Sequence, residues 1–152
     1  MRATGTSSAA SRYDPRSMDD CELCETDGGA LVWRDAFCRV VRVAGGAHPL
    51  FYRVVLARHV REMTDLAAGE RDRLMRVVFA CEAALRRLAA PDKVNLASLG
   101  NQVPHLHWHV IARFADDAHF PDPVWAAPRR SGARRDAPED GAFGAAIAGV
   151  LA

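Results

Sequence analysis

From His105 to Val110 the chain alternates without a break, with His105, His107 and His109 at one set of positions and Leu106, Trp108 and Val110 at the other. Only an extended strand gives that pattern two uniform faces, because successive side chains leave a strand on opposite sides. One face is then imidazole and the other belongs to a core, and a strand is expected over His105 to Arg113. Three imidazoles on one face stabilise less than apolar or charged residues would, so the row points to chemistry. Neutral imidazoles can hold a zinc ion with a fourth position open to water. Alternatively, one imidazole can act as a nucleophile when its neighbours keep it deprotonated and oriented. Spacing alone does not choose between the two.

Such a strand needs partners, and the chain supplies them. Residues 30–34 and 37–43 are rich in Val, Leu and aromatic residues on either side of Arg34-Asp35 and read as a hairpin. Gly45-Gly46 makes a turn, and Phe51 to Leu56 supplies another aromatic and β-branched strand. From Ala67 to Ala90 the spacing becomes helical, with Leu74, Val77, Val78, Cys81, Leu85 and Leu88 recurring at three and four residues. Pro91-Asp92 ends that helix, Val94 to Leu99 is extended, and Gly100-Asn101 turns the chain. Residues 116–125 read as a loop whose Phe120 and Trp125 either cover the sheet edge or flank a ligand; His119 falls outside the alternation and is given no catalytic role. Connections too short for parallel crossovers make this an α+β chain with a largely antiparallel sheet. A bare edge in such a sheet invites a second copy.

A chain of 152 residues suits one domain. Residues 1–17 lack hydrophobic periodicity and read as a loose leader, residues 18–126 as the domain, and residues 127–152 as a tail whose Ala-rich end forms a short helix. The formal charge of +1 creates no broad field for a nucleic-acid polymer or an anionic membrane, so any phosphate binding must be local. No apolar run approaches the roughly 20 residues that cross a bilayer, and the N-terminus lacks a signal-peptide core, which gives a cytoplasmic reading. Of the four cysteines, Cys38 and Cys81 sit in apolar patterns and read as core. The pair Cys21/Cys24 is a redox motif, half a zinc site or coincidence. A redox pair belongs before a helix in a βαβ unit, absent here, so zinc is preferred, and zinc takes four ligands.

The segment Lys93 to Arg113, with its HxHxH run followed by apolar residues and an Arg, resembles the signature of the histidine-triad (HIT) family. The likeness extends through Pro49 to Val60 and covers roughly residues 20–125. It implies a five-stranded antiparallel sheet with one long helix and short helices, often dimerised, and hydrolysis or transfer at the α-phosphate of a nucleotide. Dinucleoside polyphosphates or nucleoside phosphoramidates are the implied substrates, and no organic cofactor is implied. The resemblance makes His107 the nucleophile, through a nucleotidyl-histidine intermediate, and His109 its neighbour at the phosphate. Asn101 and Gln102 occupy positions that face phosphate or leaving-group oxygens. Bacterial members with an N-terminal Cys-x-x-Cys close a structural zinc site with two histidines, which here match His59 and His105 beside Cys21 and Cys24. One position departs from the pattern: Phe51 stands where several members carry a histidine, with His48 nearby. The alternative implied by that departure is a zinc-containing nucleotide-binding protein with little or no turnover.

Overall fold

The computed structural model describes residues 20–44 and 46–152. The leader read over residues 1–17 and Gly45 of the glycine turn lie outside the described residues. The elements are α1 (Glu22–Glu25), β1 (Ala30–Arg34), β2 (Cys38–Arg42), β3 (Phe51–Leu56), a 3-10 turn (Met63–Asp65), α2 (Ala68–Ala89), β4 (Lys93–Ala97), β5 (His107–Arg113) and α3 (Asp140–Leu151). The five strands form one sheet in the order β1-β2-β3-β5-β4, every neighbouring pair antiparallel. This is the α+β architecture expected from the sequence.

Local chemistry sets the element ends. The β1–β2 turn is tied by Asp35, whose Oδ1 accepts the N–H groups of Phe37 and Cys38, both at 2.8 Å. Glu70 accepts the Ala67 N–H at 3.0 Å, supplying an acceptor to one of the donors that a helix start leaves without a partner. At the far end Ala90 turns left-handed, with φ 44°, and Pro91 prevents continuation.

Each face of the sheet has its own cover. Val40, Tyr52, Val54, Leu56 and Val110 project to one side and are wholly buried beneath Leu74, Val78, Cys81 and Leu85 of α2. Each such side chain contributes roughly 1.5–3 kcal/mol by leaving water. Cys38 and Cys81 both lie in this core. The Ala-rich end forms α3, which packs against α2 and β1, stacks Phe143 on Tyr52 with centroids 4.1 Å apart and ties Asp140 to Arg42. Val32 interrupts the β1–β2 register, and its carbonyl meets α3 at Gly144, where a Cβ would lie only 2.4 Å from the oxygen.

On the opposite face, Val41 and Val55 form a smaller cluster with Cys21 and Leu23, which seats the α1 segment on the sheet. Arg39 fastens it further by donating to the carbonyls of Leu23, Thr26 and Asp27 at 2.6, 3.0 and 3.0 Å. The triad histidines emerge on this second face.

Candidate active site and metal site

β5 begins at His107, two residues later than the alternation predicts. His105 precedes the strand proper because the chain is still turning there, its N–H bonded to the Val103 carbonyl at 2.8 Å. Leu106 nevertheless makes strand-like bonds, donating to Val60 and accepting from Leu56, so the three imidazoles keep their common side. His107 and His109 stand 4.8 Å apart, edge to face.

Hydrogen bonds assign the tautomers, because a carbonyl can only accept. His105 Nε2–H donates to the Leu56 carbonyl at 2.8 Å, leaving its Nδ1 lone pair free. His107 Nδ1–H donates to the His105 carbonyl at 2.5 Å, leaving Nε2 unprotonated. Burial pushes all three imidazoles down from the usual histidine range, His109 furthest, to about 3. The carbonyls of Leu56 and His105 partly oppose this at His105 and His107, whereas the charge of Arg53 adds to it at His107 and His109. His107 and His109 are therefore neutral at physiological pH.

A cavity of about 310 Å³ opens against these two rings, lined also by Asn101, Gln102, Arg53 and Trp125. Asn101 and Gln102 reach it from the turn before β5, and the Trp125 ring lies 5.2 Å from that of His109, centroid to centroid, in an edge-to-face arrangement. Phe51, at the position where several family members carry histidine, packs edge-on against His109 at 5.3 Å. His48 does not take that place; its Nε2 meets His119 Nδ1 at 2.7 Å.

The first triad histidine, on the same side of the sheet, meets the two cysteines instead of the cavity. His105 Nδ1 lies 3.4 Å from Cys21 Sγ and 3.5 Å from Cys24 Sγ, and Cys24 Sγ lies 3.4 Å from His59 Nδ1. All four ligand atoms fall within 4.8 Å of one another, so this cluster could hold a metal ion. A tetrahedron with metal–ligand bonds of about 2.0–2.3 Å has edges of roughly 3.3–3.8 Å, and the three separations of 3.4–3.5 Å fall in that range. Among the described residues His107 and His109 join no metal-capable cluster, so the three triad imidazoles do not converge on one ion. A second trio, His48, Asp117 and His119, is differently committed. The Asp117 carboxylate already accepts five N–H groups, from Arg113 Nε and Nη2 and from the backbones of Phe114, His119 and Phe120. Burial works against its charge, but these bonds outweigh it and hold Asp117 well below the usual carboxylate range.

Sequence reasoning gave Arg53 no place in the site and Arg113 no role beyond closing the signature. Period-2 alternation within 51–56 would have put Arg53 on one face with Phe51, but its neighbour across the ladder, His109, is known only from the register. Arg113 is buried to 2% exposure and also donates to Asn95 Oδ1 and the Asp122 carbonyl, both at 2.8 Å. It thereby fixes the loop that carries Trp125 to the cavity.

A five-stranded antiparallel sheet with a histidine strand inside it between β3 and β4, a cavity against that strand and a Cys/His cluster beside its start define the class of small α+β protein to which this one is built. The chain belongs to the HIT domain family, whose family model matches residues 28–116, more than half its length. Solved structures agree. A histidine triad protein from Bradyrhizobium japonicum is 29% identical, with a TM-score of 0.66, over 82% of this chain and 92% of its own. One from Sinorhizobium meliloti 1021 is 27% identical, also at 0.66, over 89% and 100%. A third, from Marinobacter aquaeolei VT8, is 29% identical at 0.62 over 70% and 79%. No curated protein matches the chain. Among the described residues no helix is long and apolar enough to cross a membrane.

Proposed function

We propose that the protein is a nucleotide hydrolase or transferase that acts at the α-phosphate of dinucleoside polyphosphates or nucleoside phosphoramidates, with His107 as nucleophile. The observation that carries this reading is the His107 Nδ1–H bond to the His105 carbonyl, which leaves the Nε2 lone pair on a ring that lines the cavity. That Nε2 attacks the α-phosphorus, the N–P bond forms, and the bond to the leaving group breaks with its electron pair. Water then attacks phosphorus and gives up a proton to solvent, the N–P electron pair returns to Nε2, and a nucleoside monophosphate leaves. Neutral His109, with one N–H to give, stands beside the phosphate, and Asn101 and Gln102 offer amide donors to its oxygens. The turnover test uses diadenosine polyphosphate and adenosine phosphoramidate: wild type releases AMP, and folded His107→Ala does not. Equal rates in both proteins would remove the assignment.

The metal in this reading is zinc, held by Cys21 and Cys24 Sγ and by His59 and His105 Nδ1. Four protein ligands close a tetrahedral ion, so when bound it supplies a structural crosslink. His105 would join the α1 segment to the strand carrying the nucleophile. Metal content should fall in Cys24→Ser and persist in His107→Ala; the reverse pattern would mark a catalytic ion instead. Phe51 against His109 favours a second reading, a nucleotide-binding protein with slow turnover, which AMP binding without product release from either substrate would support. A homodimer through an open sheet edge and a cytoplasmic location belong to the same proposal; sedimentation and fractionation test them.

A further inference from the structure

Arg53 brings into the cavity wall a charge that no carboxylate among the described residues pairs with. It stands opposite His109 in the β3–β5 ladder and lines the cavity with both neutral histidines. Among the described residues its guanidinium donates one hydrogen bond, from Nη1 to the Gly28 carbonyl at 3.3 Å, while Nε is buried and meets no acceptor. Every other arginine in the strands of this sheet except Arg53 has a carboxylate partner: Arg34 and Arg39 have Asp27, Arg42 has Asp140 and Arg113 has Asp117. Among the described residues Arg53 forms no such pair, and Glu22, on the same cavity, only attracts it from a distance. A partly buried guanidinium with open donors is suited to a planar or tetrahedral oxyanion.

We propose that Arg53 binds the phosphate group that departs from the nucleotide, which makes phosphoanhydrides with anionic leaving groups the preferred substrates over phosphoramidates with amine leaving groups. This rests on His107 being the nucleophile. Arg53 is directly opposite His109 and hence diagonal to His107, a spacing of roughly 7–8 Å between backbones in an antiparallel ladder. With the α-phosphorus at His107 Nε2, the next phosphate falls within the cavity that Arg53 also lines. As the N–P bond forms and the bridging P–O bond breaks, its electron pair stays on the departing phosphate, whose added negative charge the guanidinium donors receive. In a phosphoramidate the P–N bond breaks and the amine must take up a proton. A guanidinium is a poor source of that proton and repels the ammonium product.

The test compares kcat/KM for a diadenosine polyphosphate with that for adenosine phosphoramidate in wild type, Arg53→Gln and Arg53→Lys. Removing a charged hydrogen-bond donor should lower the anhydride-to-phosphoramidate ratio about tenfold or more in Arg53→Gln, with partial recovery in Arg53→Lys. Calorimetry should show weaker binding of inorganic pyrophosphate in Arg53→Gln. An unchanged ratio, whatever the absolute rates, overturns the proposal, as does equal pyrophosphate affinity. His107→Ala separates the two levels: if it abolishes turnover while the Arg53→Gln ratio is unchanged, the nucleophile stands and the leaving-group assignment falls. If His107→Ala retains turnover, both fall.

Discussion

Replacing Arg113 by Met removes the cation from a nearly waterless ion pair. Arg113 and Asp117 side chains are 2% and 7% exposed, and the substitution deletes two bonds to Asp117, at 2.8 and 3.1 Å, with those to Asn95 and Asp122. Breaking a buried pair from one side costs about 3–5 kcal/mol because the other charge is left behind. Three backbone N–H groups still serve the carboxylate, which argues for the lower end, near 3 kcal/mol. For a chain of this length that is a fall in Tm of roughly 6–12 °C. Urea unfolding at pH 7, followed by far-UV circular dichroism, measures the loss. Trp125 emission should shift to longer wavelength as its loop loosens. The double variant Arg113→Met/Asp117→Asn should lose less than the sum of the singles, since the stranded charge is gone. A loss below about 1 kcal/mol, typical of an exposed pair, or strict additivity in the double variant, would refute the reasoning.

Three further outcomes are expected. Gly144→Ala should destabilise by about 1–3 kcal/mol, as the added Cβ meets the Val32 carbonyl and lifts α3; an unchanged urea midpoint would contradict that contact. Tyr52→Phe should stabilise by about 1 kcal/mol, because the buried Tyr52 hydroxyl has no hydrogen-bond partner among the described residues while the Phe143 stacking survives; destabilisation would show that the hydroxyl is satisfied. His109 has its folded pKa lowered to about 3 from 6.5 by burial, then by His107 and Arg53. Between these values the unfolded chain binds a proton that the folded one refuses, so stability is full above 6.5 and falls on acidification by up to about 1.4 kcal/mol per pH unit. His109→Gln should flatten that slope in urea titrations from pH 7 to 4; parallel wild-type and variant curves would rule this out.

The sheet and the long helix were legible because their patterns depend on neighbouring residues alone: alternation at 105–110 and three-and-four spacing from Leu74 to Leu88. The cluster of Cys21, Cys24, His59 and His105 was legible through family resemblance, since no local rule brings residues 84 positions together. Arg53 was hidden because its importance lies in register, which a single strand does not display. Asp117 read as one acid in a polar loop, although its five donors make it the loop's organising anion. The full extent of α3 was obscured by Gly141, Gly144 and Gly149, which weaken local helical preference; packing of Phe143 and Ile147 into the core supplies what propensity lacks.

That last helix also sets an order of events during synthesis. Tyr52 and Val32 are made early, yet the ring that stacks on one and the glycine that meets the other lie more than eighty residues downstream. While the chain is still emerging, the outer half of the β1–β2–β3 surface has no cover and β1 has only its hairpin partner. A chain cut short before Asp140 therefore presents a finished histidine strand on a sheet whose opposite side α2 covers only in part, and completion waits on the final dozen residues rather than on the motif itself.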